Sequence, residues 1–221
     1  MFSRSVVCWF LASAVAALAI APEAAFSKPV VKTRYQYFMV SGISASALHQ
    51  SLVQRGPTVN GDKAYAATEV AGGQDGSLVA GPSGCRIQNY RMKLDFTMRL
   101  PKLRPGVALS PAVQSRWQAF ETFVRNHEAR HREIWISCAA NVEQAVRAVN
   151  ARSCEAAQAM ATGILNQMWK QCARKHDAFD AAQRHPLMRQ PFIVAANAAP
   201  ARLTTGGSRV RAAKAIRTRT R

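Results

Sequence analysis

The sequence predicts an α+β fold: an N-terminal antiparallel-type small sheet with one short helix, then a long two-helix hairpin. Three observations carry that reading. In "RMKLDFTMRLP" (Arg91 to Pro101), Met92, Leu94, Phe96, Met98 and Leu100 alternate with polar residues, the period of a strand with one buried face. Val113, Trp117, Phe120, Val124, Ile134, Cys138 and Val142 recur at helical spacing and form one broad stripe. A second helical stretch follows almost at once, separated from the first by the short turn "NARS".

The first element, "TRYQYFMVSG" (Thr33 to Gly42), is aromatic and β-branched and reads as a strand ending at Gly42. In "SASALHQSLVQRGP" Ser44 can cap a helix, Ala47, Leu48 and Leu52 fall on one side, and Gly56-Pro57 ends it. "KAYAATEV" reads as a strand before the loop "AGGQDG". After the Arg91 strand a proline-interrupted linker runs to Leu109. Ser110-Pro111 then starts the long helix, with a hydroxyl at the cap and proline in the first turn. That helix should run to about Asn150. Ser153 caps its partner, expected from Cys154 to about Phe179, with Met160, Ile164, Leu165, Met168 and Trp169 as the apolar side. Pro186 should bar further continuation.

The chain divides into a signal peptide (1–27), an α+β domain (28–191) and a basic disordered tail (192–221). Arg4 precedes the uncharged apolar run "SVVCWFLASAVAALAIA", and Ala25-Phe26-Ser27 fits a small-x-small cleavage site. The expected location is therefore periplasmic or secreted, with no membrane span left after cleavage. Beyond Cys8 four cysteines remain, Cys85, Cys138, Cys154 and Cys172, enough for two disulfides in any of three pairings. The absence of CxxC speaks against a cysteine zinc finger. The net charge is +18, and nine basic residues but no acid follow Asp180. "RLTTGGSRVRAAKAIRTRTR" (Arg202 to Arg221) is Arg-rich without aromatics, and a tail of this kind is solvated. After export its nearest anionic partner is an envelope surface rather than nucleic acid.

"NHEARHREIW" (Asn126 to Trp135) holds the chemistry. His127 and His131 stand four apart on the long helix, so both imidazoles can reach one ion. Glu128 adjoins the first, placed as general base toward a water on that ion. Two imidazoles suit Zn2+ better than calcium or magnesium. Both histidines continue the apolar stripe and so face the core, where a metal would satisfy an otherwise costly pair. A hydrolytic zinc needs a third protein ligand. With the hairpin turn near Arg152, His131 should face Cys172 and His127 should face His176, and the end of the second helix should cover the motif. The candidates there are Cys172, His176, Asp177, Asp180 and His185. His49 is expected at the surface of the small helix.

From about Tyr35 to His185 the chain resembles the bacterial family called domain of unknown function 922, described as predicted secreted zinc-dependent proteases. The resemblance is carried by "YFMVSGISASAL", "RGP", "YAAT", "GCRIQNYRMKLDFTMRLP", "WQAFETFVRNHEARH" and "SCEAA", in that order. The family pattern closes on an aromatic-Asp, a threonine and a His-Gly. Here "FDAAQRHP" keeps Phe179, Asp180 and His185, while Gln183 and Pro186 depart. The resemblance, with the hairpin geometry, implies His185 as third ligand, followed by Asp180 and then His176. The expected function is an exported zinc-dependent metallopeptidase acting on a peptide or protein. The alternative is a non-catalytic, zinc-stabilised binding module of the cell envelope that works through its basic tail.

Overall fold

The computed structural model describes residues 28–59 and 61–198. The expected signal peptide and residues 199–221 of the expected tail lie outside them. The elements are β1 (Val30–Val40), α1 (Ala45–Arg55), β2 (Thr58–Val59), β3 (Asp62–Lys63), β4 (Ala67–Gly81), β5 (Gly84–Leu103), α2 (Pro111–Arg147), β6 (Asn150–Ala151), α3 (Cys154–Met188) and α4 (Pro191–Ala198). The chain is thus α+β, with a sheet and a short helix first and the long helices after it. Among the described residues no helix is long and apolar enough to cross a membrane.

β5 is the centre of the sheet, which runs in the order β1-β5-β4 with β6 also paired to β5. The antiparallel expectation holds for β4 and β6 against β5, but β1 lies parallel to β5, from Val30 opposite Lys93 to Val40 opposite Leu103. The sheet is therefore mixed. The path explains it: α1, the β2–β3 hairpin and β4 intervene before β5, a connection long enough to bring the chain back in β1's direction. The expected loop "AGGQDG" is also strand. Gly72, Gly73 and Gln74 pair with Leu94, Lys93 and Met92, and a bulge near Asp75 and Ser77 absorbs the irregularity. Ladder bonds from β5 outweigh the weak strand preference of glycine there.

Local chemistry sets the helix ends. Gly42, with φ 148°, turns the chain out of β1; a Cβ there would come within 2.8 Å of Ala47. Ser44 then caps α1, its hydroxyl accepting from the Ala47 N–H at 3.2 Å. Ser153 does the same for α3 through Ala156. Two boundaries differ from expectation. α3 runs through Pro186 to Met188, since a proline in the last turn removes one late hydrogen bond and the helix is nearly over. The expected tail does not start at residue 192, because Pro191–Ala198 forms α4 and buries Phe192 and Ile193 completely or nearly so.

The apolar stripe of α2 serves two cores. Its first half puts Trp117, Phe120 and Val124 against Leu48 and Leu52 of α1 and Phe192 and Ile193 of α4. Its second half puts Ile134, Cys138, Val142 and Val146 against Met92, Leu94 and Phe96 of β5 and the inner side of α3. His127, Glu128 and His131 fall between the two halves. The stripe therefore delivers three polar side chains to the seam between two hydrophobic clusters.

A buried acid fixes the second core. Glu143 is 1 % exposed and accepts from the Met92 backbone N–H at 2.6 Å and from Arg147 at 3.2 Å. Arg147 also donates to the Tyr90 carbonyl. Glu143→Ala would leave the Met92 N–H buried without an acceptor. A loss of about 2–4 kcal/mol is expected, read as a lower urea midpoint; an unchanged midpoint would remove this network from the account of stability.

Candidate metal centre

The centre is built where the middle of α2 faces the C-terminal half of α3. α2 contributes His127 and His131, one turn apart, and α3 contributes His176 and Asp180, also one turn apart. His127 Nε2 and His131 Nε2 are 3.0 Å apart. Asp180 Oδ1 lies 2.9 Å from His131 Nε2 and 3.3 Å from His127 Nε2. These three residues form the group among the described residues that could hold a metal ion.

Neither Asp180 oxygen has a partner with hydrogen-bond geometry, although Oδ1 is close to both rings. We take proximity without alignment as lone pairs converging on a point, the arrangement a cation resolves. On its far side His131 places Nδ1 2.8 Å from His176 Nδ1. One of these two nitrogens must donate. If His131 does, its Nε2 is left with a free lone pair, the state a ligand requires. His176 is then a positioning residue, itself wedged against Trp135 at 4.7 Å between ring centroids.

Burial and charge tune the groups. The His127 ring is pushed below its usual pKa by burial, with Asp180 acting against that and His131 with it. His176 is pushed down to about 4 by burial and then by the neighbouring His131. Neutral imidazoles are what a metal needs. Burial works to raise the Asp180 carboxyl, but the two imidazoles beside it outweigh burial and hold it below the usual range. Glu128 is fully buried, and burial raises its carboxyl to about 8, with Asp180 adding to the rise and the Thr68 hydroxyl opposing it. Thr68 on β4 donates to Glu128 Oε2 at 2.7 Å, while Oε1 has no partner.

The sequence-expected residues are distributed unevenly. His127, Glu128, His131, His176 and Asp180 are brought together. His185 is not: it is exposed near the end of α3 and lies outside the group that could hold an ion. The facing residues are displaced by one turn from the simple hairpin, so that His131 meets His176 rather than Cys172, and His127 meets Asp180 rather than His176. β6 pairs with β5, and Cys85 bonds to Cys154, so α3 starts against the sheet before it returns to α2. His49 is half-buried rather than at the surface, 2.8 Å from the Tyr65 hydroxyl. Thr68 and Phe179 entered the sequence reading only as positions of the family pattern, with no role at the site. Thr68 holds Glu128, and the Phe179 ring packs on His127 at 4.8 Å and His131 at 5.1 Å.

Cys138 and Cys172 form the second disulfide, 34 residues apart, joining α2 to α3. Cys138 is two turns past His131 and Cys172 one turn before His176, so this bond holds the two halves of the centre in register. Replacing both cysteines by serine is expected to cost about 4 kcal/mol through chain entropy, measured by chemical denaturation. A change below about 1 kcal/mol would mean that packing alone aligns the helices.

The family model described as "Bacterial protein of unknown function (DUF922)" matches residues 35–186. No curated protein matches the chain. No solved structure matches it.

Proposed function

The chain belongs to the bacterial family of unknown function DUF922, and from that premise we propose that it is an exported zinc-dependent hydrolase acting on peptides. The observation that supports this most is the triad His127, His131 and Asp180. Tetrahedral zinc with bonds of about 2.0–2.1 Å separates its ligand atoms by about 3.3 Å. The triad atoms stand 2.9–3.3 Å apart. Two imidazoles and one carboxylate, with orphaned carboxylate oxygens, make a donor set that fits zinc. His185, first expected as third ligand, gives way to Asp180 in this reading.

Zinc held there would supply Lewis acidity, which polarises a carbonyl and acidifies water. The remaining work falls to the chain. Glu128 takes the proton of the attacking water through Oε1, because Thr68 already occupies Oε2. With its carboxyl raised to about 8 Glu128 is mostly protonated at neutral pH, so its role as base depends on the ion. A cation nearby would pull that value down toward the ordinary carboxylate range. His176 fixes the ring of His131, and Phe179 shields both imidazoles. Export, and hence an oxidising compartment, is consistent with two disulfides.

One observation favours the non-catalytic alternative. His127 is 8 % exposed, Asp180 5 %, and His131 and Glu128 are sealed. A centre this closed also suits a structural metal. Zinc-loaded chain should cleave unstructured peptides, and chelation should stop cleavage reversibly. Zinc bound at one per chain with no cleavage of any peptide pool would favour the structural reading.

A further inference from the structure

Beside the centre lies a groove of about 670 Å³ between β4 and α3. Its floor is Met92 and Trp135, one wall is Leu165 and Trp169, and the other is Gly72 and Gly73. Every residue that lines it is uncharged, on a chain of net charge +18; of its side chains Gln74, Thr162 and Asn166 are polar and the rest apolar. β4 is an edge strand, with β5 on one side and no strand on the other among the described residues. Residues 71–81 of β4 are exposed. At Gly72 the strand is bare: an added Cβ would meet nothing closer than 4.0 Å. Trp135, 4 % exposed, has an indole N–H with no acceptor.

The groove adjoins the centre, although none of the centre's residues lines it. Val70 lines it, and two residues earlier on the same face of β4 Thr68 holds Glu128. Residues two apart in a strand are about 6.8 Å apart. Trp135 lines the floor and packs against His176 on its other side.

We propose that this groove binds an extended, uncharged peptide segment, which adds to β4 as a further strand. An added strand would lie about 4.8 Å from β4 and pair with its free backbone groups. Alternate side chains of the segment would then enter the groove against Leu165 and Trp169, so apolar residues are selected at every second position. The intervening side chains face away and are not selected. As a peptide site the groove stands by itself; as the substrate site it rests on the hydrolase reading above.

The test uses the full chain loaded with zinc and a short fluorescein-labelled peptide alternating Leu or Phe with Thr, followed by anisotropy. Comparison peptides carry Asp and Lys in place of Leu and Phe, or N-methyl groups on alternate residues. Gly72→Val puts a side chain into the groove where space is open and in a residue type that strands favour, and Ala71→Val is its control on the opposite face. Wild type and Ala71→Val should bind the apolar peptide, and Gly72→Val should weaken binding by at least about tenfold. Trp169→Ala gives a second reading of the same wall, again with weaker binding expected. The charged and N-methylated peptides should bind at least about tenfold more weakly than the parent. Equal binding by Gly72→Val and wild type overturns the proposal, as does equal binding of charged and apolar peptides. Binding of an N-acetylglucosamine oligomer in the groove without binding of any peptide overturns it too. Glu128→Gln should bind the peptide normally, and a zinc-loaded wild type that binds the peptide without hydrolysing it counts against the hydrolase reading alone.

Discussion

Asp180→Ala is expected to strip zinc from the chain, and His185→Ala to leave zinc in place. Asp180 supplies one of three converging donors, its oxygen 2.9 and 3.3 Å from the two imidazole nitrogens. A structural zinc site contributes roughly 10–16 kcal/mol in total. Removing one ligand of three or four should therefore cost about 3–4 kcal/mol, or roughly 10²–10³ in Kd. His185 is exposed and apart from the cluster, so its loss should change nothing. His176→Ala should fall between, at about 10–100-fold, because it positions His131 without touching the ion. Competition with a chelator of known affinity measures all three. Asp180→Asn keeps the shape and guards against a folding artefact. If His185→Ala loses zinc while Asp180→Asn keeps it, the triad is wrongly assigned.

That choice between two residues marks where sequence stops being sufficient. Regular periodicity was legible: Trp117, Phe120, Val124, Ile134, Cys138 and Val142 are all buried, and so are the alternate residues of the Arg91 strand. Caps at Ser44 and Ser153 were legible because the hydroxyl and the N–H it serves are three residues apart. What depends on distant partners was not. The Gly72–Gly73 stretch looks like a loop until β5 supplies its ladder. The parallel run of β1 depends on the whole path between it and β5. The ligand geometry depends on one helical turn of register between α2 and α3, and the bonds that accompany it, Cys138–Cys172 between the helices and β6 on β5 at the turn, join residues far apart in sequence. A pattern was nevertheless available in the chain. His176 and Asp180 repeat on α3 the spacing that His127 and His131 have on α2, and on facing helices that pair brings Asp180 to the two imidazoles and His176 to the far side of His131. Thr68 left no comparable mark, because its contact with Glu128 spans sixty residues.

Glu128→Gln separates binding from turnover more sharply than any other single change. The side chain is fully buried, so glutamine occupies the same space. Its oxygen can still accept from the Thr68 hydroxyl, which keeps the 2.7 Å contact. The three donors to the ion are untouched, so zinc should remain at one per chain. What disappears is a group able to take a proton, since an amide has no basicity at neutral pH. General-base catalysis contributes typically 10²–10⁴-fold, and a drop of about that size in kcat is expected, with KM nearly unchanged because no groove residue moves. The measurement is peptide hydrolysis by zinc-matched samples of wild type and variant, with zinc content determined on the same samples. Retained turnover in a zinc-replete Glu128→Gln would falsify the base assignment. Loss of zinc together with turnover would mean instead that the Glu128 carboxylate stabilises the ion, and that the buried Oε1 belongs to the metal rather than to water.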